Sequence, residues 1–576
     1  MHQDVKTMIE PDTIERYDRQ IRLWGQHGQN KFSSSKVCLI NANSLGTEIL
    51  RGLCLAGIGS FTILDSHKLT PEDVGCNFVW HSSVGKNRGD SVRNMLLDLN
   101  EEVCGEVHPL EAHLPHIVQN KPDHELPVDS DNDLGFWKQF NCVIASGFLY
   151  LDQVTRLSRI CWMINVPLIV CKSIGFFGTM RSQFREHIIV ETHPDNILPE
   201  FNLDRPFEDL KNYFDSIDLE DDSVPNRISS FPYIVIVYKY LRVWQDKNGF
   251  DHDRLPRSYS EKRELRQLID QGLVSVNRKK RAQSDRNGHP QNKHEILFEN
   301  YIEASKSINS CLNDSTLLNA SVESIFNHPK VRECSAQNVS RFWLIVKAVR
   351  EFVISRNDGR LPVSGSIPDM ISSSEEYLKL QSIYAKKARE DIDSIFSIVQ
   401  TLIDSSSCSP GSSLYDETKL ICRNIRDLSV IHSSPIFKEY DFKSYAMRAH
   451  EDEDDEFITI SLCLRAMDLF FSVYGRIPGC QDDQVETDIS KLKECTKQMT
   501  GRMSSRLKTL DQCLYELCRC GGAELHVTSA FVGGCIAQEV IKLITNQYVP
   551  LNDTLVYNSM SAATRTFKFT DTFERT

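Results

Sequence analysis

Apolar and polar positions alternate most legibly near the start of the chain. Between Asp12 and Gly25, Ile14, Tyr17, Ile21 and Trp24 recur at helical spacing as one apolar stripe, while Arg16, Arg19 and Arg22 recur every third residue as a charged one. Asp12 ahead of Glu15 reads as a capping-box start and Gly25 as a stop, so the period predicts a helix over 12–25. The apolar stripe has to pack on a neighbour. Three guanidiniums, always charged and each a planar fork of donors, can hold a carboxylate or a phosphate, although the pattern alone is met by a solvated face.

Next come a β-rich apolar run, Lys36–Ile40, a loop, Asn41-Ala-Asn-Ser-Leu-Gly46, a helical pattern from Thr47 to Ala56, and after Gly57-Ile-Gly59 a second strand, Ser60–Leu64, ending at Asp65. This is the layout of a nucleotide-binding βαβ unit. Its chemistry needs glycines that let the backbone close round phosphates at the helix N-terminus. Only Gly46 is present; Asn41 and Asn43 stand at the first two glycine positions, where their side chains crowd a phosphate. Asn141–Ala145 and Val166–Val170 read as further buried strands flanking a helix from Leu151 to Met163. The alternation predicts an α/β doubly wound, mostly parallel sheet covered on both faces over about the first 180 residues.

From about Arg181 helical patterns and polar loops take over. An aromatic-rich helix followed by Arg-Leu/Ile-Pro occurs three times: Tyr233–Trp244 before Asp253-Arg-Leu-Pro256, Phe342–Ile354 before Gly359-Arg-Leu-Pro362, and Leu462–Val473 before Gly475-Arg-Ile-Pro478. Each reads as a helix hairpin stopped by Pro, architecture and not chemistry. Asn277-Arg-Lys-Lys-Arg281, in a basic 277–293 stretch, reads as a solvated loop with an import signal as the alternative; Ser405–Ser413 reads as a flexible connection and Glu451–Glu456 as surface charge. Gly521-Gly-Ala-Glu-Leu-His526 leads into an apolar helix, Val527–Thr545, in which Gly533-Gly534 permits close approach to a neighbour. A β-like pair, Asn546–Pro550 and Thr554–Asn558, then suggests a return to the first domain.

Composition narrows the partners. The chain has 576 residues, 40% hydrophobic and 25% charged, as in ordinary soluble proteins, and its net charge of −13 argues against nucleic acid. The start has no apolar leader, and the runs VPLIVCKSIGFFGTM and FPYIVIVYKYLRVW are short and interrupted by charge, so no membrane partner and a cytoplasmic or nuclear location are expected. Eighteen scattered cysteines read as reduced thiols; Cys513, Cys518 and Cys520 cluster without a Cys-x-x-Cys pair, and no metal site is expected.

The motifs Arg16-Tyr-Asp-Arg-Gln-Ile-Arg-Leu-Trp-Gly25, Gly57-Ile-Gly-Ser-Phe-Thr-Ile-Leu-Asp65, Val84-Gly-Lys-Asn-Arg88, Gly359-Arg-Leu-Pro362 and Ala537-Gln-Glu-Val-Ile-Lys542 together resemble the ubiquitin-like-protein-activating enzymes. Leu39-Ile-Asn-Ala42, Gly46-Thr-Glu-Ile-Leu50, Glu191-Thr-His-Pro-Asp-Asn196 and Gly365-Ser-Ile-Pro-Asp-Met-Ile371 resemble, within that family, the regulatory, non-catalytic subunit of the neddylation-activating enzyme. The resemblance implies a pseudo-active, Rossmann-like adenylation domain (1–180), a helical insertion similar to a catalytic-cysteine domain without its cysteine (181–514), and a return segment (515–576). Active relatives carry Gly-x-Gly-x-x-Gly where Asn41 and Asn43 stand, an arginine where Cys76 stands, and a metal-binding Asp after the strand at Cys142 that is missing from this chain. Asp65 and Lys86 persist, and a structural role is expected of both. Catalytic subunits hold their nucleophile in Pro-x-Cys-Thr; Cys495-Thr496 is the nearest match, and it reads as a surface helix position.

The same resemblance implies a heterodimer whose catalytic partner subunit binds ATP and Mg, adenylates the modifier and forms the thioester, this chain binding no cofactor of its own. The modifier and a conjugating enzyme are reached through the complex. Arg19 is implied to cross to the partner's ATP phosphates, as an arginine finger, with Arg22 a second candidate. Asp369, Met370, Ile371, Tyr377, Leu378 and Leu380 match a partner-contacting region. A self-sufficient adenylating enzyme, a Rossmann oxidoreductase resting on Asp65, and a scaffold without catalytic contribution are the alternatives.

Overall fold

The computed structural model describes residues 15–79, 81–116, 131–193, 199–219, 228–286, 298–332, 340–404, 414–441, 455–500 and 509–568. Asp12 and Ile14, with the capping box expected there, lie outside these residues, as do Ser405–Ser413 and Glu451–Asp454. The first helix, α1 (Asp18–Ser33), breaks at Gly25, whose φ of +69° is left-handed, and then resumes. Its second half has no apolar stripe, so the period gave no sign of it. Tyr17 and Trp24 are buried as the stripe requires.

Eight strands form one sheet in the order β10-β9-β6-β5-β4-β1-β2-β3. The parallel half comprises β1 (Lys36–Ile40), β2 (Ser60–Leu64), β3 (Cys104–His108), β4 (Cys142–Ser146) and β5 (Leu168–Ile174). Beyond β5 the pairing turns antiparallel: β6 (Phe177–Gln183) runs against β5, β9 (Thr554–Asn558) against β6, and β10 (Ala563–Phe567) against β9. Two short strands, β7 (His187–Ile189) and β8 (Ser429–Ile431), stand outside this sheet. Helices α2 (Ser44–Leu55) and α3 (Leu151–Ile164) are the crossovers around β1 and β4. The sheet is therefore mixed, and the chain's end does return to it. Asn546–Pro550, expected as a strand, is instead the exit from a helix, with Asn546 and Tyr548 at φ +58° and +57°; β9 pairs with β6 on one side and with β10 on the other. β10 is an edge strand with Thr564–Thr566 exposed, so it lacks the apolar alternation that marks a half-buried strand.

The chain divides into two compact units, Met1–Ile189 with Val430–Thr576, and Val190–Ser429. The second unit is helical and includes α4 (Tyr233–Asn248), α5 (Tyr259–Arg286), α6 (Arg341–Ser355) and α7 (Ser374–Asp404), with α4 packed on α5 and α6 on α7. These are the first two expected hairpins. Helix α5 runs through Asn277–Arg281, so that stretch is no loop: from Leu273 to Arg286 it has neither Gly nor Pro to interrupt a run of helix formers. The third hairpin, α8 (Glu456–Tyr474) and α9 (Val485–Thr500), lies in the first unit with α10 (Leu510–Cys520) and α11 (His526–Thr545). Leu462, Phe470, Leu492 and Leu514 share a core with Ile174, Phe177 and Val556 of the sheet. That packing brings the return to Val430, well ahead of the expected residue 515, and moves the first cut from 180/181 to 189/190. Helices α8 and α11 are apolar and long enough to cross a bilayer, but each is more than half buried inside the fold.

Gly533 of α11 lies against α2, where a Cβ would stand 2.8 Å from the Glu48 Cβ, whereas Gly534 has open space. Of this glycine pair, only Gly533 serves the close approach of the two helices, to which Gly52 of α2, where a Cβ would stand 3.1 Å from that of Ala537, also contributes.

Candidate functional site

The C-terminal ends of the parallel strands carry the loops from β1 into α2 and from β4 into α3, the place where doubly wound sheets bind ligands. Asn41 holds a left-handed φ of +65° at the first glycine position. Its Nδ2 donates to the carbonyls of Ser146 (3.0 Å) and Phe148 (3.3 Å), tying the loop to the end of β4. Asn43 caps α2: its Oδ1 accepts from the Gly46 N–H at 3.0 Å and from the Ser146 hydroxyl at 2.6 Å. Gly46 is required at its position, since a Cβ would meet the Asn41 carbonyl oxygen at 2.5 Å.

A carboxylate of the chain itself sits where a bound phosphate would lie. Glu524 Oε2 accepts from the Ser44 N–H at 2.8 Å and Oε1 from Asn43 Nδ2 at 2.8 Å. Burial pushes the Glu524 carboxyl up to about 7, against the backbone hydrogen bonds that pull it down. The sequence pattern gave Glu524 no role; an acid placed between a Gly-Gly pair and an apolar helix is the only local sign of it.

Asp65 is fully buried. Its Oδ2 accepts from the Ala42 N–H (2.9 Å) and Arg88 Nε (2.8 Å), and its Oδ1 from the His67 N–H (2.9 Å). Burial raises its pKa, yet His67 and Arg88 together outweigh that and bring it to about 2. Arg88 also faces Asp73 at 3.5 Å. Lys86 is exposed. Lys172 is buried beside Asp468, Nζ to Oδ1 2.5 Å; burial lowers its pKa and the carboxylate partly restores it. Cys76 stands at the family's arginine position, its thiol pushed up to about 11 by burial and then by Glu524 and Asp73. A cavity of about 420 Å³ is lined by Asn41, Asn43, Asp73, Arg88, Lys172 and Glu524 among others. Beyond β4 the chain reads Gly147-Phe-Leu-Tyr150, without an acid.

Cys495 is not a surface position. It is 3% exposed on α9, with burial pushing its thiol up to about 11, so it is protonated at neutral pH and poorly nucleophilic.

The three arginines of the opening segment have different surroundings. Arg16 approaches Glu102 at 3.9 Å and lies over the Tyr17 ring. Arg22 pairs with Asp18 at 3.0 Å. Arg19 is exposed and has no ion pair among the described residues. Their helix is fixed by the return segment, since Gln547 Nε2 donates to the Trp24 carbonyl at 2.8 Å and the Tyr548 hydroxyl to that of Leu23 at 3.1 Å. In the helical unit, Asp369, Ile371 and Leu378 are exposed and Met370 and Tyr377 half-buried, the Tyr377 hydroxyl donating to the Ile367 carbonyl at 3.3 Å. Leu380 is a correction: it is fully buried in the core with Tyr384 and Leu210 and has no surface to offer a partner.

The ThiF family matches residues 17–195. Over nearly its full length the chain is similar to NEDD8-activating enzyme E1 regulatory subunits. The Danio rerio protein is 38% identical over 97% of this chain and 100% of its own length. That of Drosophila melanogaster is 35% identical over 97% and 98%. The Arabidopsis thaliana subunit AXR1 is 31% identical over 98% and 97%.

Proposed function

The chain belongs to the family of NEDD8-activating enzyme E1 regulatory subunits, and from that membership we propose a division of labour across a heterodimer. It is the regulatory subunit of an activating enzyme for a ubiquitin-like modifier, and a catalytic partner subunit goes with it. In our reading the partner holds ATP and magnesium, adenylates the C-terminal glycine of the modifier and forms the thioester, while this chain supplies Arg19 to the partner's phosphates. The observation that carries this reading is the contrast within one unit: the phosphate end of α2 is filled by Asn43 and Glu524, and Arg19 stands exposed without an ion pair among the described residues. A guanidinium so placed can stabilise charge that develops on a phosphate outside its own chain. Asp369, Met370, Ile371, Tyr377 and Leu378 are proposed as part of the partner surface.

The test is ATP–pyrophosphate exchange with NEDD8. The full chain alone is expected to give none, and the reconstituted pair to give exchange. Exchange by the chain alone would overturn the reading in favour of a self-sufficient enzyme.

A further inference from the structure

We propose that Glu524 is a built-in anion that closes this chain's own nucleotide cleft to phosphates. A helix N-terminus preceded by a loop attracts phosphate because its N–H groups lack partners and its dipole favours negative charge. Here the carboxylate takes both advantages, accepting from Ser44 N–H and from the capping residue Asn43, each at 2.8 Å. It is held there by backbone. Gly521 and Gly522 turn the chain with φ of +55° and +80°, the Gly175 N–H at the end of β5 donates to the Ala523 carbonyl at 2.8 Å, and Gly175 forms a bridge with Glu524.

The rest of the cleft is set against anions as well. Arg88 and Lys172, which line it, each face a carboxylate of the same chain: Arg88 meets Asp65 and Asp73, and Lys172 meets Asp468. Glu72 and Asp73 line the cavity beside Glu524. The loop's one buried unsatisfied side-chain atom is Asn41 Oδ1, an acceptor, which offers nothing to a phosphate oxygen. The cleft that in an active relative presents donors therefore presents acceptors. Loss of the two loop glycines is not the whole cause of the silent site, because a helix N-terminus and a cavity remain behind Glu524.

The inference concerns this chain alone and stands apart from the role of Arg19. Its test is calorimetric titration of the purified full chain with inorganic pyrophosphate at pH 8, where the carboxylate is ionised. The wild type is expected to show no saturable binding. Glu524→Ala is expected to bind at least about tenfold more tightly than the wild-type limit, and Glu524→Gln, which removes the charge and keeps the shape, to fall between them. Circular dichroism and unfolding temperature identify folded variants; if Glu524→Ala does not fold, Glu524→Gln decides. Wild-type binding equal to that of the variants would overturn the proposal, and so would folded variants that gain none.

Discussion

Asp65 at the tip of β2 and Arg88 at the start of the helix Arg88–Leu99 meet with Oδ2 2.8 Å from Nε, the carboxylate wholly out of solvent. In a nucleotide-binding βαβ unit the acid at this place faces a ribose. Here it closes on its own chain and fixes the β1 loop through the Ala42 N–H. Its pKa, about 2 when folded, is below its ordinary value of 3.8, so its contribution is complete above the unfolded value and is lost as pH falls through the folded one. Asp65→Asn is expected to remove about 2 kcal/mol at pH 6. In urea titrations at a series of pH values, the gap between wild type and variant should shrink below pH 4 and be mostly lost by pH 2. A gap independent of pH would mean that the charge is not what Asp65 contributes.

The sequence made β1, β2, β4 and β5 legible because they are short buried apolar runs bounded by polar loops, whereas β3, a partly exposed edge strand, contains no such run and gave no strand signal. The spoiled phosphate loop was equally legible, since Asn41 and Asn43 stand where a spacing rule demands glycine. Glu524 was not, because its meaning lies in a contact with Ser44 that spans 480 residues, and nothing in its own neighbourhood has a period. The same limit explains Leu378 and Leu380. They stand two residues apart on α7, and only the packing of the Leu380 and Tyr384 side of that helix on Leu210 assigns one to solvent and the other to the core. The return to the sheet at Val430 was hidden for a related reason: α8 reads as another helix of the insertion until Val556 is seen against it.

Gly533 and Gly534 give an internal control for the packing of α11 on α2. Gly533→Ala places a Cβ 2.8 Å from that of Glu48 and is expected to cost about 1–3 kcal/mol. Gly534→Ala meets nothing within 4 Å and should stabilise the helix by about 0.5–1 kcal/mol. Urea unfolding of the two single variants reads the difference. Equal effects would show that the helices are free to shift apart.

Leu378 and Leu380 separate a partner surface from a core position. Leu380→Ala empties a fully buried site and should destabilise the chain by about 2–5 kcal/mol. Leu378, 59% exposed, should change stability by no more than about 0.5 kcal/mol on replacement by Ala. If the segment contacts the catalytic subunit, Leu378→Ala weakens the pair by about 1 kcal/mol or more, measured by titration calorimetry of the two purified subunits. Unchanged affinity in Leu378→Ala and Ile371→Ala together would remove this segment from the interface.

Arg19 carries the sharpest prediction about activity. Because it is exposed and has no ion pair among the described residues, Arg19→Ala should leave folding and subunit assembly as they are, while lowering ATP–pyrophosphate exchange by the reconstituted pair on the order of a hundredfold or more. Arg19→Lys keeps the charge and loses the planar fork, so it should fall between the two. Arg22, held by Asp18 at 3.0 Å, is the comparison from the same face, and its alanine variant should reduce exchange only a few-fold if at all. The fall in Arg19→Ala should appear in the maximal rate at saturating ATP, since the role proposed for Arg19 is to act on charge that develops during attack at the α-phosphate. Exchange at the wild-type rate by an assembled Arg19→Ala pair would leave the chain as a scaffold whose catalytic contribution is nil.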